Sequence, residues 1–514
     1  MLSYAFIAVY LLLLLSYGYI SKGQATKREF MLAGRQMKTL PVLLSILATE
    51  TSAASLLLFP DLGFNPTHRF IFLQLAAGMA IGRLLSARLL IGPVYRSGKE
   101  SVYEILAEKL SPGLADIGAA LYAVSTVLAA GVRLFIGAIA LSILLGFQSL
   151  GGQNDGGQTA IGNLQIVVFI IAGGAIAMYY SRQGGLKAVI YTDNFQFLLI
   201  LSALFGILLL QFKTVDPGAL QWHDFIRTAP GPESTWYSYT YSLPLALIGG
   251  IVLSLGSHGI DQTTIQRVLA QRSEAEAKKS IIYSAYAIVP FIFLYLLCGY
   301  VISQDPSGRH MQDTKQYIYP WYLRNVDAPW LTALTCVAFL SAAMSSIDSA
   351  LHSMATSLKQ TTFRFAEKIT IERLTLLSGF CLILSALFFQ FVKWINPEAT
   401  LISLALGATG MIFSPMAALY IMIFHFPGQG QDSGAAAKTK SKVMLVALLS
   451  GVLCNFVIFG LNNFYPVVNI SWLLSLVLSF FITALFIAAG LSYTRNARPE
   501  TPAKKRKSNA GNSF

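Results

Sequence analysis

The chain has 514 residues, 55% of them hydrophobic and only 12% charged, with a mean hydropathy of +0.60 and a formal net charge of +13. Soluble domains carry about 25% charged residues, so this composition excludes a soluble protein and points to one embedded in a lipid bilayer. The positive charge does not indicate a nucleic-acid partner, because the basic residues flank apolar runs instead of forming a patch. Four cysteines, Cys298, Cys336, Cys381 and Cys454, stand singly in apolar runs. They read as small core residues, with neither a disulfide frame nor a metal site. No phosphate loop, His-Glu-x-x-His pattern or nucleophile triad is evident, so the sequence does not read as an enzyme.

Apolar runs of spanning length fall at 3–21, 40–59, 69–95, 114–148, 162–182, 189–213, 241–262, 281–304, 329–360, 372–393, 398–425, 441–463 and 468–493. They predict an all-α membrane protein with thirteen transmembrane helices. The first run lacks a basic leader and a small-residue cleavage site, so it is expected to remain as a helix. Basic residues alternate between the loops. Lys22, Lys38, Arg96, Lys109, Arg182, Lys187, Arg272, Lys279, Lys359 and Lys442 lie on one side with most of the others. The opposite side holds Arg69, Lys213, Arg227, Arg309, Lys315, Arg324 and Lys393. The positive-inside rule then puts the N-terminus outside and the C-terminus in the cytoplasm. The tail ARPETPAKKRKSNAGNSF is polar, basic and without apolar period, and is expected to be a disordered end near anionic lipid.

Two helices are interrupted by polar or flexible residues. The second, PVLLSILATETSAASLLLF, centres on ATETSAAS and carries Glu50; the seventh centres on GGIVLSLGSHG and holds His258. Irregular backbone at membrane depth survives where it is buried in protein or lines a cavity. The two helices are five apart in order and run in opposite directions, as an inverted repeat requires. The organisation expected is an extra helix and basic loop (1–39), a first repeat (40–240), a second repeat (241–428), two peripheral helices (429–494) and the tail (495–514). In the ninth helix, Ser341, Ser345, Asp348 and His352 step by four, three and four, so they share one stripe. A carboxylate at the centre of a span costs about 3 kcal/mol unless it is partnered. Arg133 lies near the middle of a long apolar helix and could clamp a carboxylate or balance Glu50, as Arg83 could. Asp261, Gln262, Gln266 and Arg267 are expected to cap and orient the inner end of the seventh helix.

The stretches REFMLAGRQM (28–37), GGLKAVIYTDNFQ (184–196), GIDQTTIQRVLAQRSEAEAKKS (259–280) and AAMSSIDSALHSMAT (342–356) resemble the sodium:solute symporter family, in family order and across nearly the whole chain. The chain looks like a bacterial-type member. The resemblance implies a five-plus-five inverted repeat of the LeuT type, with Na⁺ as coupling ion. It implies a main sodium site of backbone oxygens at Ala48, Thr51 and Ala342 with hydroxyls at Ser345 and Ser346. Na⁺ is a hard ion that wants oxygen ligands, and an unwound turn exposes carbonyls. A second cation site, found in some members, maps to Asp193, Ser345, Asp348 and Ser349. Here a carboxylate, Asp348, replaces a usual hydroxyl, and two acids would repel unless a cation or proton bridges them. The bland alternative is that the serines bond their own i−4 carbonyls and Asp348 pairs with an arginine.

Glu50, Ser52, Ser55, Arg133, Ser257 and His258 are the candidate substrate-facing residues. Ser257 and His258 fall where sugar-carrying relatives place stacking rings, which argues against a glucose-like solute. The function implied is a sodium-coupled secondary active transporter in the plasma (inner) membrane. It would import a small polar solute, one bearing a carboxylate being favoured by Arg133. A proton-coupled symporter on the same scaffold and a non-transporting solute sensor are the rival readings. The partners implied are the solute, Na⁺ and the bilayer, with no nucleic acid and no obligate protein.

Overall fold

The structure, a computed structural model, describes residues 1–20, 27–147, 156–213, 218, 220–227, 235, 237–309, 317–363, 368–395, 401–425, 435–464 and 470–496. The expected tail falls outside them beyond Asn496, its first two residues closing the last helix. Among the described residues the architecture is all-helical. In chain order the main helices are α1 (Leu2–Ile20), α2 (Lys27–Leu32), α3 (Thr39–Glu50), α4 (Ala53–Phe64), α5 (Leu73–Arg96) and α6 (Val102–Lys109). There follow α7 (Pro112–Leu144), α8 (Gly156–Leu210), α9 (Leu243–Gly259), α10 (Gln262–Leu269) and α11 (Glu274–Gln304). The last six are α12 (Ile318–Asn325), α13 (Pro329–Lys359), α14 (Ile371–Ile395), α15 (Leu401–His425), α16 (Ala435–Phe464) and α17 (Trp472–Asn496). Eight described helices are long and apolar enough to cross a membrane, or ten when each bent pair counts as one span. The expectation was thirteen. The other three are accounted for: α1 and α15 are apolar helices outside that count, and two expected spans form one continuous run, Asn163–Leu210. That run is broken at Gly185, whose φ of 55° and ψ of −169° suit glycine.

Both interrupted spans are bent. α3 and α4 meet at 67°, and α9 and α10 at 54°. The first break falls at Thr51 and Ser52, inside ATETSAAS as expected. The second lies after the glycine-rich stretch, at Ile260 and Asp261, while GGIVLSLGSHG itself is regular helix. Its glycines serve packing instead. A Cβ on Gly250 would lie 2.5 Å from Leu75 O, so α9 and α5 approach to backbone contact. Each new helix starts on a side-chain cap: Ser52 Oγ accepts from Ser55 N, and Asp261 Oδ1 accepts from Thr263 N at 2.9 Å.

Two groups of helices pack more closely within themselves than with each other. One comprises α3, α4, α5, α9 and α11; the other comprises α7, α8, α13 and α14. α3 lies against α8 and α13 along the boundary, α10 also touches α13, and α1 covers α8 and α13 from outside. α1 is fastened there by Tyr10, whose hydroxyl accepts from Gln196 Nε2 at 2.9 Å. The cysteines divide, contrary to the single expectation for all four: Cys298 and Cys336 are buried, Cys454 is partly buried and Cys381 is exposed.

Candidate functional site

A cavity of about 250 Å³ lies where the breaks in α3–α4 and α9–α10 face each other. All six candidate substrate-facing residues line it: Glu50, Ser52, Ser55, Arg133, Ser257 and His258. Opposite this polar wall is a continuous aromatic one. Phe59 packs on Phe72 with ring centres 4.8 Å apart and on Tyr295 at 5.7 Å, Phe72 meets Tyr241 at 5.6 Å, and Phe291 meets Tyr295 at 5.1 Å.

Glu50, at the end of α3, is held from two sides. Arg83 Nη2 of α5 donates to Oε2 at 2.7 Å, and His258 Nε2 hydrogen-bonds Oε1. Arg83 is fully buried and also donates to Ser284 O at 3.1 Å. A carboxylate paired with an arginine only accepts, so His258 donates from Nε2, and its Nδ1 takes the Ser257 hydroxyl at 2.9 Å. The triad joins both broken spans. Arg133 takes no part in it. Among the described residues it makes no hydrogen bond and no ion pair, and its half-buried guanidinium faces the cavity with only the through-space influence of Asp261 and Tyr122.

Of the residues expected to hold the main sodium ion, Thr51 and Ser346 line this cavity and Ala48 is fully buried beneath it. The break frees specific carbonyls. Ser52 N bonds Glu50 O at 2.9 Å, and Ser55 N bonds Ser52 Oγ at 3.3 Å. In a regular helix their acceptors would be Ala48 O and Thr51 O, so those two oxygens are released from the helical ladder. On α13, Ser346 Oγ donates to Ala342 O at 3.1 Å, while Ser345 Oγ donates to Asp193 Oδ1 at 2.5 Å.

Asp193, Ser345, Asp348 and Ser349 do meet, in a fully buried cluster behind α13, and a fifth group sits among them. Arg267 of α10 donates from Nη2 to Asp193 Oδ2 at 2.8 Å and to Ser349 Oγ at 2.5 Å. Its Nε donates to Ser45 Oγ at 2.7 Å and its Nη1 to Thr263 O at 2.7 Å. The expectation that Arg267 merely orients its helix is thereby corrected: it is the ion-pair partner of Asp193. Among the described residues Asp348 pairs with no arginine; Tyr180 donates to its Oδ2 at 2.9 Å and Ser349 lies 3.2 Å from its Oδ1. Two serines do bond i−4 carbonyls, Ser346 to Ala342 and Ser349 to Ser345 at 2.6 Å. Sequence reasoning missed Ser45, which donates to Asp193 Oδ2 at 2.5 Å, and Tyr180. Ser45 precedes Ala48 and Thr49 by about one turn, a helical spacing that could have flagged it. No signal marks Tyr180 beyond a hydroxyl in an apolar run. His352 packs against Phe30 in a tilted arrangement, ring centres 5.1 Å apart.

The sequence profile of the Sodium:solute symporter family matches residues 30–436. Among curated relatives, a bovine (Bos taurus) sodium-coupled monocarboxylate transporter 2 is 25% identical over 86% of this chain and 69% of its own length. The human (Homo sapiens) form is 24% identical over 79% and 64%, so the chain spans about two thirds of these relatives. A human sodium/iodide cotransporter is 26% identical over 66% of this chain and 51% of its own. Among solved structures, a Na⁺-coupled sialic acid symporter in a substrate-bound outward-open state superposes with a TM-score of 0.75. The superposition covers 97% of this chain and 98% of that one at 17% identity, a likeness of fold.

Proposed function

The chain belongs to the sodium:solute symporter family, and on that premise we propose that it couples Na⁺ entry to import of a small monocarboxylate with an apolar body. The observation that carries the substrate class is Arg133, a guanidinium facing the cavity with no hydrogen bond or ion pair among the described residues. Such a fork suits a planar carboxylate held bidentately. The wall of Phe59, Phe72 and Tyr295 opposite suits a carbon skeleton better than a chain of hydroxyls. The two relatives named as monocarboxylate transporters agree with this reading.

Na⁺ is assigned to Ala48, Thr51, Ala342, Ser345 and Ser346, supported by the two carbonyls freed at the break. Na⁺ there stabilises the solute-competent conformation, so each ligand raises the affinity for the other. The chain is read as thirteen spans in a plasma membrane with the N-terminus outside. The 48-residue run Asn163–Leu210 supports two crossings, since at 1.5 Å per residue it would reach about 72 Å unbroken, against a hydrocarbon core of about 30 Å.

The test is uptake into proteoliposomes. An inward Na⁺ gradient should drive accumulation of labelled aliphatic or aromatic monocarboxylates, and an equal choline gradient should not. Arg133→Lys keeps charge but loses the fork, and should weaken the carboxylate by at least about tenfold while leaving Na⁺ affinity near that of the parent. Accumulation driven equally well by a pH gradient without Na⁺ would overturn the coupling assignment.

A further inference from the structure

The Asp193–Asp348 cluster offers what a small monovalent cation wants: carboxylate oxygens on two helices and the hydroxyls of Ser45, Ser345 and Ser349, all fully buried or nearly so. We propose that the cation resident there is the chain's own Arg267, and that it excludes a second Na⁺ from this site. This assignment rests on the sodium-coupled reading for its ion and adds a stoichiometry to it.

Donors and space both lead to this exclusion. Arg267 makes four hydrogen bonds inside the cluster, to Asp193 Oδ2, Ser349 Oγ, Ser45 Oγ and Thr263 O, each between 2.5 and 2.8 Å. Every one of these oxygens points a lone pair at a guanidinium N–H, and a metal ion would need the same lone pairs. Most of the remaining carboxylate oxygens are also committed. Asp193 Oδ1 takes the Ser345 hydroxyl, its Oδ2 also takes that of Ser45, and Asp348 Oδ2 takes that of Tyr180. A second unit charge within the same shell would repel the first in a site shielded from water. Only a movement of α10 could vacate the site.

Removing the guanidinium should therefore create a sodium site. The experiment counts ²²Na⁺ bound at saturation by the purified full-length protein, with thermal unfolding followed in Na⁺ and in choline. Wild type should bind about one Na⁺ per chain; Arg267→Ala should bind about two, and its midpoint should rise in Na⁺ far more than that of wild type. Asp193→Asn on the Arg267→Ala background should return the count to about one. A wild-type count of two overturns the proposal, and so does an Arg267→Ala protein that folds and gains no ion. Should Arg267→Ala not fold, Arg267→Gln is counted by the same criterion. Asp193→Asn alone is an independent check: an unchanged count supports the proposal, and a count reduced by one overturns it. None of these measurements involves solute. Failure of Na⁺-driven uptake with the counts intact would sink the symport reading and leave this assignment standing.

Discussion

Arg83 and Arg133 have opposite duties. Arg83 is fully buried with its charge paired to Glu50, whereas Arg133 faces open space. Arg83→Leu strips the partly buried Glu50 carboxylate of its arginine, and should cost about 3 kcal/mol, seen as a fall in the thermal midpoint in detergent. Arg133→Leu should change stability by less than about 0.5 kcal/mol and still abolish carboxylate uptake. Replacing Ser345 and Ser346 together by alanine should raise the Na⁺ concentration for half-maximal uptake; an unchanged Na⁺ dependence would reduce both serines to packing. The sequence could name Glu50, Arg83 and Arg133 as candidates but not the pairing. Both arginines sit in apolar helices, and the choice depends on which helix approaches the end of α3. Arg267 and Asp193 were each visible in a motif, but 74 positions of chain separate them, and no local pattern encodes their contact.

Helices were more legible than contacts, because a long apolar run needs only its own residues to be recognised. Glycine was the ambiguous residue. In GGIVLSLGSHG the glycines suggested an unwound centre, yet Gly250 is there so that α9 can touch α5. Gly250→Val should prise these helices apart and lower the yield of monodisperse protein sharply, while leaving the bend at Asp261 in place. Gly185 is the opposite case, a glycine that does break a helix. Gly185→Ala forces a side chain into backbone geometry that suits glycine, at about 1–3 kcal/mol, and should lower the thermal midpoint without altering Na⁺ affinity in protein that still folds. The break at Thr51 and Ser52 carries no glycine at all. Its signal was a cluster of small hydroxylic residues, with Ser52 able to cap the helix that restarts.

At the scale of the molecule, the two groups of helices differ in what their buried charges do. Glu50, Arg83 and His258 all belong to α3, α5 and α9, so their triad lies within one group and keeps its members in register. Arg267 reaches from α10, the second arm of the bent span that α9 begins, to Asp193 on α8 and Ser349 on α13, across the boundary. The two broken spans were legible in the sequence, but this division was not, since it follows from which faces meet after folding. It has a consequence for economy of transport. When one group tilts against the other, the triad rides along undisturbed, while the guanidinium must surrender its carboxylate and hydroxyl partners together. A carrier with nothing aboard has no ligand energy to offset that loss, yet a symporter must return empty to complete its cycle, so on the proposed reading that return should be the slow step. The fork of Arg267 would then set the pace of turnover through the unloaded return, which exchange of labelled solute under Na⁺ on both sides bypasses and net uptake does not.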